Sequence, residues 1–296
     1  MIRIANLVCA VNDHILQNIS YFWRNFSMHN VRPAAVAGAF YPGTAETLTR
    51  DIDLLLRDAK QPALPTSPKA VIVPHAGYIY SGPIAASAYA ALAALGGIVR
   101  RVVLLGPVHR VPVRGLATPG ATAFSTPLGT VQVDQDAILA LTHLNQIVES
   151  APAHAWEHSL EVQLPFLQTV LGEFKLVPLA VGDATAEEVA EVLDLLWGGT
   201  ETLIVVSSDL SHYLPYDMAR NKDQETVQSV LDLHTLHNHE QACGATPING
   251  LIVAAKRHHL TPRLLDLRNS GDTAGDKGHV VGYAAFAFLE EARDVH

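Results

Sequence analysis

The chain is poor in several things. Of its 296 residues only Cys9 and Cys243 are cysteines. That excludes a disulfide framework and makes a reducing cytoplasm the expected location. Aromatic residues amount to 6%, so the apolar bulk rests on Ala, Val and Leu. Lys and Arg number 20 against 29 Asp and Glu, a net charge of −9, with no block of basic residues. A nucleic-acid binder carries a basic stripe, so no nucleic-acid partner is expected. No apolar run reaches the roughly 18 residues of a membrane-spanning helix, so no membrane partner is expected either.

What the chain does hold is a large apolar fraction, 49%, and fifteen histidines. The opening "MIRIANLVCAVNDHILQNISYFWRNFS" has a short apolar stretch, one early arginine and no small-residue cleavage site. Residues 1–27 therefore read as an extension outside the core fold, and residues 28–296 as one domain. Within that domain the runs "AVIV" (70–73), "RVVLL" (101–105), "FKLVPLAV" (174–181), "TLIVVSS" (202–208) and "VVGYAAFAFL" (280–289) read as strands. Near-continuous aliphatic runs mark strands covered on both faces, as in parallel sheets. Helical patterns lie between them, "PIAASAYAALAAL" (83–95) with Pro83 in its first turn and "TAEEVAEVLDLLW" (185–197) with acidic residues at its start. Residues 115–134 read as an inserted hairpin. The expectation is a single three-layer α/β domain with a mostly parallel central sheet.

Three strands finish alike. "AVIV" runs into Pro74-His75-Ala76-Gly77-Tyr78, "RVVLL" into Gly106-Pro107-Val108-His109, and "TLIVV" into Ser207-Ser208-Asp209-Leu210-Ser211-His212. Ligands of open α/β sheets bind outside the carboxyl ends of the strands, so neighbouring strands would bring His75, His109 and His212 to one crevice. Any one of these histidines alone would read as an ordinary structural residue, but the arrangement occurs three times. Cys243 stands before "ATPINGLIVAA", where Thr246 and Pro247 read as helix cap and first helical residue. A helix start favours thiolate, which makes Cys243 a ligand or a nucleophile.

Two imidazoles and one anionic side chain are the minimum for a metal with open positions. A carboxylate in third place suits Fe(II), whereas a thiolate brings Zn(II) and Cu(I) into competition. His212 is then free for acid–base work, with Asp209 beside it or orienting an imidazole. "HAWEH" (154–158) has the H-x-x-E-H form of inverted zinc peptidases, but Pro152 and Pro165 oppose the long helix that chemistry needs. His234, His237 and His239 read as a solvated helix end, and Asp272 and Asp276 as a turn. Tyr78 reads as a wall of the crevice, while His158 and Glu161 either line it or cap a helix start.

Taken together, "PHAGYIYSG", "LGPVHRVPV", "EHSLEVQLPFL", "VVSSDLSHY", "CGATPI" and "VVGYAAFAF" resemble the Memo family, known in bacteria and archaea as AmmeMemoRadiSam system protein B. The resemblance runs from about Arg32 to Phe288. It implies a fold similar to the class III LigB-type extradiol dioxygenases, and His75, His109 and Cys243 as ligands of Fe(II), with Cu or Zn as alternatives. It also implies His212, with Asp209, in the proton-handling place. The cysteine where those enzymes have Glu leaves two functions open. One is a metal-dependent oxidoreductase acting on a small aromatic or phenolic substrate. The other is a non-catalytic metal-binding or protein-interaction module. Radical-SAM and AMMECR-type proteins are the implied pathway partners.

Overall fold

A computed structural model describes residues 30–60 and 63–290; the extension expected over residues 1–27 lies outside them. Strand β1 (Val31–Arg32) is followed by helix α1 (Ala45–Asp58), β2 (Pro68–Val73), α2 (Tyr78–Ala91), β3 (Arg101–Pro107), β4 (Leu116–Thr118), β5 (Ala123–Thr126) and β6 (Gly129–Val133). Then come α3 (Gln135–Leu141), β7 (Ile147–Glu149), α4 (Ala151–Ala155), α5 (Leu164–Leu171), β8 (Lys175–Val181), α6 (Ala186–Leu196) and β9 (Thr202–Ser207). The chain closes with β10 (His212–Leu214), α7 (Tyr216–Leu231), α8 (Ala245–Arg257), β11 (Leu260–Asn269) and β12 (Val280–Glu290).

The aliphatic runs become the centre of one sheet. β6, β8, β3, β9 and β2 lie side by side and parallel, and β12 adds antiparallel to β2. Every residue of β2 and β9 is buried. Successive side chains point to opposite faces, so each strand feeds two cores. Val71, Val73, Val102, Leu104, Leu203 and Val205 pack on one face with Leu48 and Ile52 of α1, Ile84 of α2 and Phe166 of α5. Ala70, Ile72, Val103, Leu105, Ile204 and Val206 pack on the other with Val189 and Leu193 of α6, Val230 of α7 and Leu251 of α8. This is the expected three-layer α/β arrangement.

Register sets the site. Val73 of β2 pairs with Ser207 of β9, Leu105 of β3 with Val206, and Pro107 with Val181 of β8. The ends of β2, β9 and β3 are therefore level, with β9 in the middle. Pro74 has no N–H with which to continue the ladder, and the chain turns out of the sheet at His75.

The structure moves several expected boundaries. α2 begins at Tyr78, not residue 83, because Gly77 caps it and its carbonyl accepts from Tyr80 and Ser81 N–H at 2.8 and 3.1 Å. Pro83 consequently sits inside the helix, at the cost of one backbone hydrogen bond. α6 matches its expected start, with Thr185 and Glu188 forming a reciprocal capping box. In the 115–134 insertion β5 and β6 do form a hairpin, but β4 leaves it to pair with β8 and β7. β11 was not anticipated from its sequence. "LTPRLLDLRN" carries a proline and three charges, which an edge strand tolerates, and among the described residues β11 pairs only with β12.

One ion pair anchors the start of the described chain. Glu161, fully buried, pairs with Arg32 and accepts from the N–H groups of Ala35 and Val36 at 2.7 and 3.0 Å and from Tyr41 Oη at 2.7 Å. Arg32 also donates to the carbonyls of His154 and Glu157 at 3.0 and 2.6 Å. Removing one member strands the other charge in the core, so Glu161→Gln is expected to destabilise the fold by about 3–5 kcal/mol. A urea titration showing an unchanged midpoint would contradict this.

Candidate metal centre

His75 is 2% exposed, and its Nδ1 lies 2.9 Å from Ser207 Oγ. The tautomer follows from counting hydrogens. Ser207 has one hydroxyl hydrogen, and it goes to the Ser159 carbonyl at 2.6 Å. Gln163 Nε2 donates to Ser207 Oγ at 2.8 Å and to the Pro74 carbonyl at 2.9 Å, while Tyr89 Oη donates to Gln163 Oε1 at 2.8 Å. Nδ1 of His75 must then donate as well, which leaves Nε2 with its lone pair. That atom sits 3.3 Å from Cys243 Sγ.

His109 reaches the same state by another route. Its Nδ1 is 2.8 Å from Glu157 Oε1, and its backbone N–H donates to Oε2 at 2.7 Å. Burial works against the charge on Glu157, but the His109 and Ser159 hydrogen bonds outweigh it and draw the carboxyl down to about 2. Glu157 is therefore an acceptor, and Nε2 of His109 is free to ligate. Ser159 joins the two halves. Its hydroxyl donates to the Pro107 carbonyl at 2.9 Å, and a Cβ on Gly106 would meet Ser159 Oγ at 2.7 Å, so the approach requires glycine.

Cys243 is held by its N–H on the Asp209 carbonyl at 3.2 Å and by Gly244 N–H on Ser208 Oγ at 2.9 Å. Any side chain at Gly244 would strike Ser208 Cβ at 2.7 Å. The adjoining helix starts at Ala245 with Gly244 as its cap, two residues before the expected Thr246 cap. The expected thiolate is also corrected. Burial, and then the charge of Asp209, push the thiol up to about 12, which outweighs the helix start.

The donor atoms of His75, His109 and Cys243 all lie within 4.8 Å of one another. With metal–sulfur and metal–nitrogen bonds near 2.3 and 2.0–2.1 Å, two such ligands sit about 3.1 Å apart at a right angle and about 3.5 Å at the tetrahedral angle. The observed 3.3 Å falls between. Two anchored imidazole lone pairs and one ionisable thiol thus fit a divalent cation, and this donor set accepts Fe(II), Zn(II) or copper.

A third imidazole belongs to the cluster. His158 stacks on His109 with ring centroids 4.6 Å apart and meets His75 edge-on at 5.4 Å. Its Nδ1 is 3.4 Å from Glu157 Oε1, and burial brings its pKa down to about 4. His109, Glu157 and His158 form a second group with metal-ligand spacing. His212, half-buried, has Nδ1 2.9 Å from the Leu210 carbonyl, so its Nε2 too carries the lone pair. Burial lowers its pKa, and a charge on His109 would lower it further. Asp209 is 4% exposed and accepts the His75 backbone N–H at 2.7 Å; it holds a main chain, not an imidazole. Burial lifts its carboxyl to about 7.

Two expected pocket residues serve the scaffold. Tyr78 gives its hydroxyl hydrogen to the Val162 carbonyl at 2.7 Å. Glu161 has no oxygen to offer a substrate, since Arg32, Ala35, Val36 and Tyr41 occupy both. The peptidase arrangement of "HAWEH" does not form: α4 ends at Ala155, and His154 turns its Nε2 to the Ala117 carbonyl at 2.8 Å. His234 and His237 join no metal-ligand group among the described residues. Sequence alone gives no role to Ser207, Ser159 and Gln163, and does not pair Glu157 with His109. The available signal was a serine ending an aliphatic strand and a glutamine inside an apolar helix start.

Two outcomes follow for titration with Co(II) or Zn(II). Ser207→Ala and Glu157→Gln each free an anchored ring and should weaken binding roughly 10- to 100-fold, measured by competition with a chelator. Binding near pH 8 should release about one proton, from Cys243, because burial holds its thiol protonated in the metal-free chain, and affinity should rise with pH. Calorimetry in buffers of different ionisation heat reads that count.

Residues 32–287 match the model of the Memo-like protein family. A MEMO1 family protein of Sulfolobus acidocaldarius is 38% identical over 282 residues, 87% of this chain and 99% of that one. A MEMO1 family protein of Aquifex aeolicus is 38% identical over 274 residues, 88% and 99% of the two chains. The crystal structure of an uncharacterized Escherichia coli K12 protein aligns over 74% of this chain and 98% of that one, with 14% identity and a TM-score of 0.47. Matched over almost all of its described length, and 38% identical to relatives of which it covers nearly the whole, the chain belongs to the Memo-like protein family.

Proposed function

We propose that the chain is a metal-dependent oxidoreductase acting on a small aromatic or phenolic substrate, with Fe(II) held by His75, His109 and Cys243. The observation that carries this reading is the state of His212. Its Nδ1–H is fixed on the Leu210 carbonyl at 2.9 Å, and burial keeps the ring neutral. It lies close enough to the cluster that its charge would act on His75. A metal-storage site has no use for an extra neutral base there.

A bound divalent metal supplies Lewis acidity and, as iron or copper, one-electron chemistry with dioxygen. The chain's own residues supply the rest. Nε2 of His212 accepts a proton from a substrate hydroxyl and can return it later. Asp209 positions His75 through its backbone and ties the Cys243 loop to β9 through its carbonyl. Stacked on His109 and edge-on to His75, the His158 ring helps to hold both ligand rings in place.

One observation favours a second reading, a non-catalytic metal-binding or protein-interaction module. The third ligand is a half-buried thiol, a softer donor than the carboxylate of oxygen-activating sites, and zinc or copper suits it. Oxygen uptake separates the two. After anaerobic loading with Fe(II), a catechol panel should give uptake that falls about 100-fold or more in His212→Ala with metal content unchanged. Cys243→Ala should lose both metal and uptake. Tight metal without uptake on any substrate selects the binding module.

A further inference from the structure

We infer that the metal enters through a separate cavity, with His239 and Asp183 as the side chains that receive it and pass it to Cys243. This rests on the reading of His75, His109 and Cys243 as the metal's resting place. A cavity of about 400 Å³ opens between the loops that follow β3 and β8 and the segment leading into α8. Pro107, Val108, Val113, Asp183, His239 and Cys243 are among its walls, and none of His75, His109, His158 and His212 is. Cys243 therefore belongs both to this cavity and to the imidazole cluster.

The rim has the chemistry of a cation receiver. His239 is exposed, and its Nδ1 lies 3.1 Å from the Cys243 carbonyl. A carbonyl only accepts, so Nδ1 carries the hydrogen and Nε2 presents a lone pair, the form that binds a metal. The same bond ties His239 to the residue that receives the ion. Asp183 is exposed at the same rim, its backbone fixed by hydrogen bonds of 2.8 Å with Val113 and Gly115. The nearby cation, Arg114, is paired through both terminal nitrogens with Glu188 at 2.7 and 3.1 Å, which blunts its repulsion of an entering ion. A net charge of −9 adds long-range attraction.

Size agrees. Six waters at about 30 Å³ each occupy roughly 180 Å³, so a hydrated divalent ion fits the cavity and can shed water stepwise. His239 and Asp183 are not in the final ligand group. They act on the rate of loading and not on its end point.

Stopped-flow mixing of metal-free protein with Co(II), followed by the thiolate–Co(II) absorption band, tests this directly. His239→Ala should slow second-order loading about tenfold, and Asp183→Asn about threefold, as expected for lost local attraction. The equilibrium affinity and final spectrum should stay those of the native chain. Val113→Trp, which adds bulk to the cavity wall without changing a charge, should also slow loading. Unchanged rates in all three variants overturn the entry route while leaving the metal centre standing. A parallel fall in affinity for His239→Ala overturns it too, because His239 would then be a ligand. If the native chain gives no thiolate–Co(II) band, the metal centre itself is wrong, and the route falls with it.

Discussion

One hydroxyl hydrogen decides the character of the centre. Ser207 can donate once, and the Ser159 carbonyl takes that hydrogen at 2.6 Å. Everything else that touches Ser207 Oγ must therefore donate, including Nδ1 of His75. A serine free to rotate would permit either tautomer; here the lone pair is fixed on Nε2, facing Cys243. The constraint extends outward through Gln163, whose amide orientation is set by the Pro74 carbonyl and Tyr89. Buried polar networks of this kind specify a geometry only when every member is satisfied.

Ser159 carries the same constraint across the sheet. Its carbonyl serves the His75 side, its hydroxyl the end of β3, and its N–H the carboxylate that anchors His109. The segment bearing Ser159 is in turn fixed by Glu161 and Arg32. The metal ligands thus come from three separated stretches of chain, yet a single polar segment holds two of them in register with one another.

Desolvation sets the charges. Burial drives His75 and His158 toward neutral imidazole and Cys243 toward the thiol, and lifts Asp209. Glu157 is held ionised beside them, because it has donors enough to overcome the same penalty. A cation arriving in such a place changes the local balance more than it would in water, since charge is felt strongly where the dielectric is low.

Much of this was legible in the chain itself. The aliphatic runs of β2, β3, β8, β9 and β12 identify strands covered on both faces, because a period of two with no polar side admits no other burial. His75, His109 and His212 follow those runs, and in a parallel sheet strand ends share one edge; Cys243 stands instead before a helix. The helix starts were less legible. Nothing local distinguishes Gly77 from Ser81 as a cap, or Gly244 from Thr246; the packing of Gly244 on Ser208 decides it. Nor does sequence spacing place Glu157 on His109, Ser207 on His75, or Glu161 away from the crevice. Those are pairings between residues tens of positions apart, and only the lateral order β3-β9-β2 and its register bring them within hydrogen-bond reach. The chain determines which donor types stand at the strand ends. The folded sheet determines which atom of each ring is left to bind.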